Sequence, residues 1–168
     1  HVVCRRQRQM CIRDRNGTLL DDRWLCVEGI NQALVKRDLP PISEDRYRKI
    51  FTFPVIEYYK KLGFDFDNEP FEVAGDEFVD YYGNNFHKAK LQKGSRTLLR
   101  EIQSKSISQS ILSAAMERYL KNWVYAHKLE IYFYEIVGID NQYADGKIRE
   151  GIELINRLPF KRRDIVMI

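Results

Sequence analysis

The sequence predicts an α/β protein: a parallel sheet flanked by helices, interrupted early by an all-helical insertion. Two observations carry this. From Leu91 to Ile168 short apolar runs alternate with stretches of helical periodicity, the pattern that gives right-handed crossovers and a parallel sheet. Residues 20 to about 89 are almost wholly helical in periodicity and rich in aromatic side chains. A third feature organises both: the loop Asp14-Arg15-Asn16-Gly17-Thr18-Leu19-Leu20, where Asn-Gly reads as a turn and the leucines begin a helix.

Taken in order, residues 1–15 show neither alternation nor an apolar run, so no strand is expected there and the segment should pack poorly. Arg5-Arg6-Gln7-Arg8-Gln9-Met10-Cys11-Ile12-Arg13-Asp14-Arg15 is similar to the in-frame translation of a sequencing adapter, which sets it apart from the fold. Leu19 to Arg37 reads as a helix, with Leu20, Trp24, Val27, Ile30, Ala33 and Leu34 at three- and four-residue steps. Pro40-Pro41 ends it, and Ser43 caps a second helix over 44–51. Pro54 opens a third helix, closed by Gly63; Pro70 opens a fourth, running toward Ala89. The aromatic stripe is most simply the core of a small bundle.

Beyond Leu91 the expected elements are a helix after Ser95, a strand over 107–112 and a helix over 116–127. A strand over 132–137, a helix over 146–158 and a strand over 164–168 follow. In such sheets the ligand sits beyond the carboxyl ends of the strands. Ser113 lies at one such end, and Lys147 follows the loop after another.

A chain of 168 residues, 44% hydrophobic and 31% charged, has globular values and suffices for one proper core. No apolar run approaches the roughly 18 residues of a membrane span. Three cysteines without metal-ligand spacing give neither a disulfide framework nor a zinc site. A reducing, cytoplasmic setting is expected. Residues 1–15 hold five arginines and one acid, which is the whole net charge of +4. The balanced remainder gives no reason to expect a nucleic-acid partner.

Asp14, Ser113 and Lys147, in that order, with Asn16-Gly17-Thr18-Leu19 after the first, resemble the haloacid dehalogenase superfamily. Its phosphatases carry an Asp-x-Asp-Gly-Thr-Leu loop, and the similarity is closest to phosphoglycolate-phosphatase-like members with a helical cap. The resemblance implies a three-layer Rossmann-like core over 16–19 and 90–168 and an inserted cap over 20–89. It implies a magnesium-dependent phosphatase acting on a small phosphorylated metabolite through an aspartyl-phosphate. Asp14 would be the nucleophile and a metal ligand. Asn16 stands where the family has its general acid and could lend a carbonyl to the metal. Thr18 and Ser113 would hold the phosphoryl group, and Lys147 would neutralise nucleophile and phosphate. As residues alone, Asp14 reads equally as a solvated acid, Ser113 as a cap of the helix starting near Ala115, and Lys147 as a surface lysine.

Two departures from the pattern bear on activity. Asn16 has no acid proton to give at neutral pH. The resemblance also places the acids that complete the metal site beyond residue 168, so the sheet is expected to be incomplete and the chain a fragment of low activity. The competing expectation is a catalytically dead interaction module.

Overall fold

The computed structural model describes residues 9–140 and 146–168. Four parallel strands form the sheet in the order β5-β4-β1-β6. They are β1 (Met10–Arg13), β4 (Ser108–Met116), β5 (Glu135–Ile139) and β6 (Ile165–Met167). Successive residues of β4 serve opposite faces, as the pleat demands. Ile111 packs with Leu99 of α5 (Ser95–Ser104) and with Leu120, Trp123 and Val124 of α6 (Glu117–Ala126). Leu112 packs with Met10, Ile12, Val137 and the α7 (Ile148–Arg157) residue Leu154. Helices on both faces give the three layers that the sequence predicts.

The first strand corrects the expectation for residues 1–15. Residues 1–8, with Arg5, Arg6 and Arg8, lie outside the described residues. Met10–Arg13 is a central strand, in register with Ser108–Ile111 on one side and, through Met10–Ile12, with Ile165–Met167 on the other. Met10 is 1% and Ile12 0% exposed. A strand buried on both faces needs no polar alternation, and four residues are too few to show a pattern. Arg13 is 4% exposed and its Nε has no hydrogen-bond partner.

The helical segment enters and leaves through a two-stranded antiparallel ribbon. β2 (Leu20–Asp21) pairs with β3 (Lys90–Leu91). The expected first helix therefore starts later, at Arg23, and α1 runs Arg23–Val35. α2 (Glu44–Ile50) starts as expected, with Ser43 Oγ accepting from the Arg46 amide at 3.2 Å. α3 (Val55–Leu62) ends at Gly63, whose φ of 99° is left-handed. α4 spans Phe71–Asn85. Ile30 and Leu34 of α1, Tyr58 and Tyr59 of α3, and Phe71 and Ala74 of α4 form the segment's own core. Tyr59 meets Phe71 edge-on at 5.3 Å between ring centroids, so the aromatic stripe is bundle core, as expected.

Candidate functional site

Asp14 is held at the carboxyl end of β1 by main-chain pairing. Its amide donates to the Ile168 carbonyl at 3.2 Å, and the Ile168 amide donates to that of Ile12 at 2.9 Å. The chain then turns sharply. The Arg15 carbonyl accepts from the amides of Thr18, Leu19 and Leu20 at 3.3, 2.9 and 3.1 Å. Gly17, at φ 69°, supplies the left-handed step that this turn requires.

Lys147 stands directly before α7, and its ammonium donates to the Asp14 carboxylate. The same ammonium donates to the Leu112 carbonyl at 3.3 Å. The Asp14 side chain is 40% exposed and that of Lys147 26%, so both reach solvent. Asp14, Thr18 and Lys147, with Ile12, Leu112 and Met167, line a cavity of about 260 Å³. A carboxylate, an ammonium and a hydroxyl thus meet at the carboxyl ends of the strands, where a parallel sheet leaves room for a ligand.

Ser113 and the Asn16 side chain do not line this cavity among the described residues. Ser113 is 0% exposed, and its Oγ accepts from the Ala115 amide at 3.2 Å. It caps no helix, a correction to that reading: β4 continues to Met116, paired across a register shift with Ile139, and α6 begins at Glu117. Gly138 permits the close passage, since a Cβ there would lie 2.5 Å from the Glu117 Cα.

Asn16 is tied to a buried polar cluster behind the loop. Its Nδ2 donates to Asp22, and its Oδ1 accepts from Arg15 Nε at 3.0 Å. Asp22 also accepts from the Gly17 amide at 3.2 Å and from the Tyr82 hydroxyl at 2.7 Å. Arg15 donates to that hydroxyl at 2.6 Å and stands 3.7 Å from Asp22. Its guanidinium also lies 5.1 Å from the Tyr82 ring centroid and 5.7 Å from that of Trp123. Arg15 and Asp22 are 2% and 1% exposed. Burial, with Asp22 alongside, pushes the Tyr82 phenol above its usual range and keeps it a donor. Burial, then Asp22, raises the nearby Cys26 thiol to about 12. Sequence reasoning passes over Arg15, Asp22 and Tyr82. The only available signal is an arginine beside a tight turn with an acid seven residues on, and that pattern has no periodicity.

A magnesium ion needs near-octahedral oxygen ligation. Of the two expected ligands, Asp14 lines the cavity and Asn16 does not. Among the described residues no group of three or more His, Cys, Asp or Glu side chains could hold a metal ion. No helix among the described residues is long and apolar enough to cross a membrane.

The family model for haloacid dehalogenase-like hydrolases matches residues 12–168. No curated protein matches the chain. Solved structures do. A predicted phosphatase from Clostridium acetobutylicum is similar at 23% identity and TM-score 0.76, over 96% of this chain and 75% of that one. A predicted phosphoglycolate phosphatase from Haemophilus somnus is similar at 16% identity and TM-score 0.77, over 96% and 76%. Protein Tyrosine Kinase A from Mycobacterium tuberculosis is similar at 21% identity and TM-score 0.78, over 96% and 74%. Likeness at these identities is likeness of fold. Proteins with such different names share it, so function has to be argued from the site.

Proposed function

Because this chain belongs to the haloacid dehalogenase-like hydrolases, we propose that its site is that of a phosphatase for a small phosphorylated metabolite. The observation that carries this is the pairing of Asp14 with Lys147 over the cavity at the strand ends. Residues 16–19 and 90–168, now with β1 and Asp14 before them, are read as the core and residues 20–89 as its helical cap. The cap's part is to close over the bound ester and exclude water. Buried free thiols at Cys11 and Cys26 support a reducing compartment, taken to be the cytoplasm.

Asp14 is the nucleophile of this reading. A carboxylate oxygen bonds to phosphorus as the ester oxygen departs with its electron pair, leaving an aspartyl-phosphate that water then cleaves. Lys147 offsets the charge on carboxylate and phosphoryl oxygens together. Thr18 presents a hydroxyl to the same cavity. Ser113, expected to hold the phosphoryl group, is buried and lies outside the cavity lining, so no phosphate contact is assigned to it.

Asn16 is the weak point. The amide cannot protonate a leaving group, and general acid catalysis typically supplies about 10²–10⁴-fold. Magnesium is the cofactor usual to such phosphatases; Asp14 would supply it a carboxylate oxygen, and waters and substrate oxygens would complete its shell. With no general acid at Asn16, the 168-residue chain on its own is read as having negligible turnover. The same fact favours the alternative, an interaction module that has kept the fold without the chemistry.

Titration with inorganic phosphate separates the two readings. Phosphate should bind the chain, more weakly in Lys147→Ala and more tightly in Asp14→Asn, because the latter removes a like charge. A chain that binds no phosphate, or variants with unchanged affinity, would reject the phosphatase reading and leave the module.

A further inference from the structure

The buried cluster behind the loop joins parts of the chain that are far apart in sequence. Asn16 and Gly17 belong to the loop that carries Asp14. Asp22 stands directly before α1, Tyr82 lies on α4, and Trp123 lies on α6. Arg15, Asp22 and Tyr82 are buried here, while Asn16 and Gly17 reach the cluster from the exposed loop. Asp22 accepts from the Asn16 amide, the Gly17 main chain and the Tyr82 hydroxyl. Arg15 closes the circuit by donating to the Tyr82 hydroxyl and to Asn16.

We propose that Arg15, Asp22 and Tyr82 are positioning residues that fix the Asp14–Thr18 loop, and that α4 thereby sets the geometry of the cavity. The functional meaning rests on the loop being the phosphate-handling one. The physical argument does not. A buried ion pair with satisfied hydrogen bonds tolerates few arrangements, since any shift leaves a charge without a partner and without solvent. The Tyr82 hydroxyl serves both charges at once, as acceptor from Arg15 and donor to Asp22. If α4 withdraws, both lose a partner. Asp22 then holds Asn16 and Gly17 less firmly, and the turn that presents Asp14 and Thr18 loosens.

Coupling of this kind is reciprocal. A ligand that prefers the fixed loop also holds α4 in place, although Tyr82 does not line the cavity. The helical segment thus acts on the site from behind the loop. Cap position and ligand occupancy become one equilibrium.

Tyr82→Phe tests this, because it removes one hydroxyl and keeps the ring against Arg15, so the fold should survive. Amide NMR shifts at residues 14–18 should move in the variant, while those of Tyr58, Tyr59 and Ala74 in the distant core should stay. Affinity for inorganic phosphate should fall about fivefold or more, the range of typical coupling energies. A tyrosine that only packs α4 would leave the loop amides alone. Loop amides at their wild-type shifts, or a phosphate affinity within about twofold of wild type, would overturn the proposal. If the wild-type chain itself binds no phosphate, the phosphatase reading fails and the amide shifts alone decide the coupling. Should Tyr82→Phe be poorly folded, Asp22→Asn is measured in the same way and judged by the same outcomes.

Discussion

Lys147 and Asp14 are separated by most of the chain, yet one ammonium binds the Asp14 carboxylate and the Leu112 carbonyl together. This ties the first strand, the second core strand and the last helix at one point. Both side chains are partly solvent-exposed, and exposed pairs contribute roughly 0–1 kcal/mol. Lys147→Ala and Asp14→Asn should therefore each change unfolding free energy by no more than about 1 kcal/mol. Denaturant titration checks this. A larger loss would mark the pair as structural and not as a reactive site.

Arg13 should be replaceable at a gain. Its side chain is buried in the central strand and its Nε is unpartnered. An unsatisfied buried polar group costs about 1–3 kcal/mol, more when charged. Arg13→Met retains the length and removes the charge. We expect a higher melting temperature by calorimetry; an unchanged or lower one would mean that the guanidinium is better solvated than its burial implies.

Gly138 should be intolerant of any side chain. A Cβ would sit 2.5 Å from the Glu117 Cα and 2.6 Å from the Ala115 carbonyl oxygen, both main-chain atoms. Forcing methyl groups into such contacts costs about 1–3 kcal/mol. Gly138→Ala should lower the denaturant midpoint accordingly, whereas Gly17→Ala meets no atom within 4 Å and loses only the left-handed preference, roughly 1–2 kcal/mol.

Acid should weaken one corner of the helical segment. Burial raises the Glu77 carboxyl, but hydrogen bonds from Lys36 and Arg37 outweigh it and hold the group below its ordinary 4.5. A depressed carboxylate adds stability above its unfolded value and loses it as pH falls through the folded one. The stability gap between wild type and Glu77→Gln should therefore be full near neutral pH and shrink below about pH 4.5. A gap that persists unchanged at lower pH would contradict the assignment.

What could be read beforehand, and what could not, divides along physical lines. Ser43 and Gly63 punctuate the helices by local chemistry, so α2 and α3 were legible nearly to the residue. Asp14, Thr18 and Lys147 were legible as a set through family resemblance, and the structure brings those three to one cavity. β1 was not, because its strand character comes from neighbours on both sides and not from its own composition. The extension of β4 through Ala114 and Ala115 was equally hidden: these helix-prone alanines lie in the irregular stretch between the Leu112 and Met116 pairings with β5. The two-residue ribbon strands carry too little sequence to signal themselves. The Arg15–Asp22–Tyr82 cluster is a meeting of distant side chains, and one-dimensional pattern cannot express it.

The placement of β1 has a consequence for how the chain acquires its shape. β1 lies inside the sheet, and its neighbours lie near residue 108 and near residue 165. Contacts so distant along the chain form slowly, because closing long loops costs entropy before any contact repays it. During synthesis, α1 to α4 can find one another while β1 still lacks both partners. Until β6 emerges, Met10 and Ile12 remain without one of their sides, the stage at which an unpaired strand recruits another molecule. The chemistry proposed for Asp14 therefore waits on a segment more than 150 residues away: its amide is fixed by the Ile168 carbonyl.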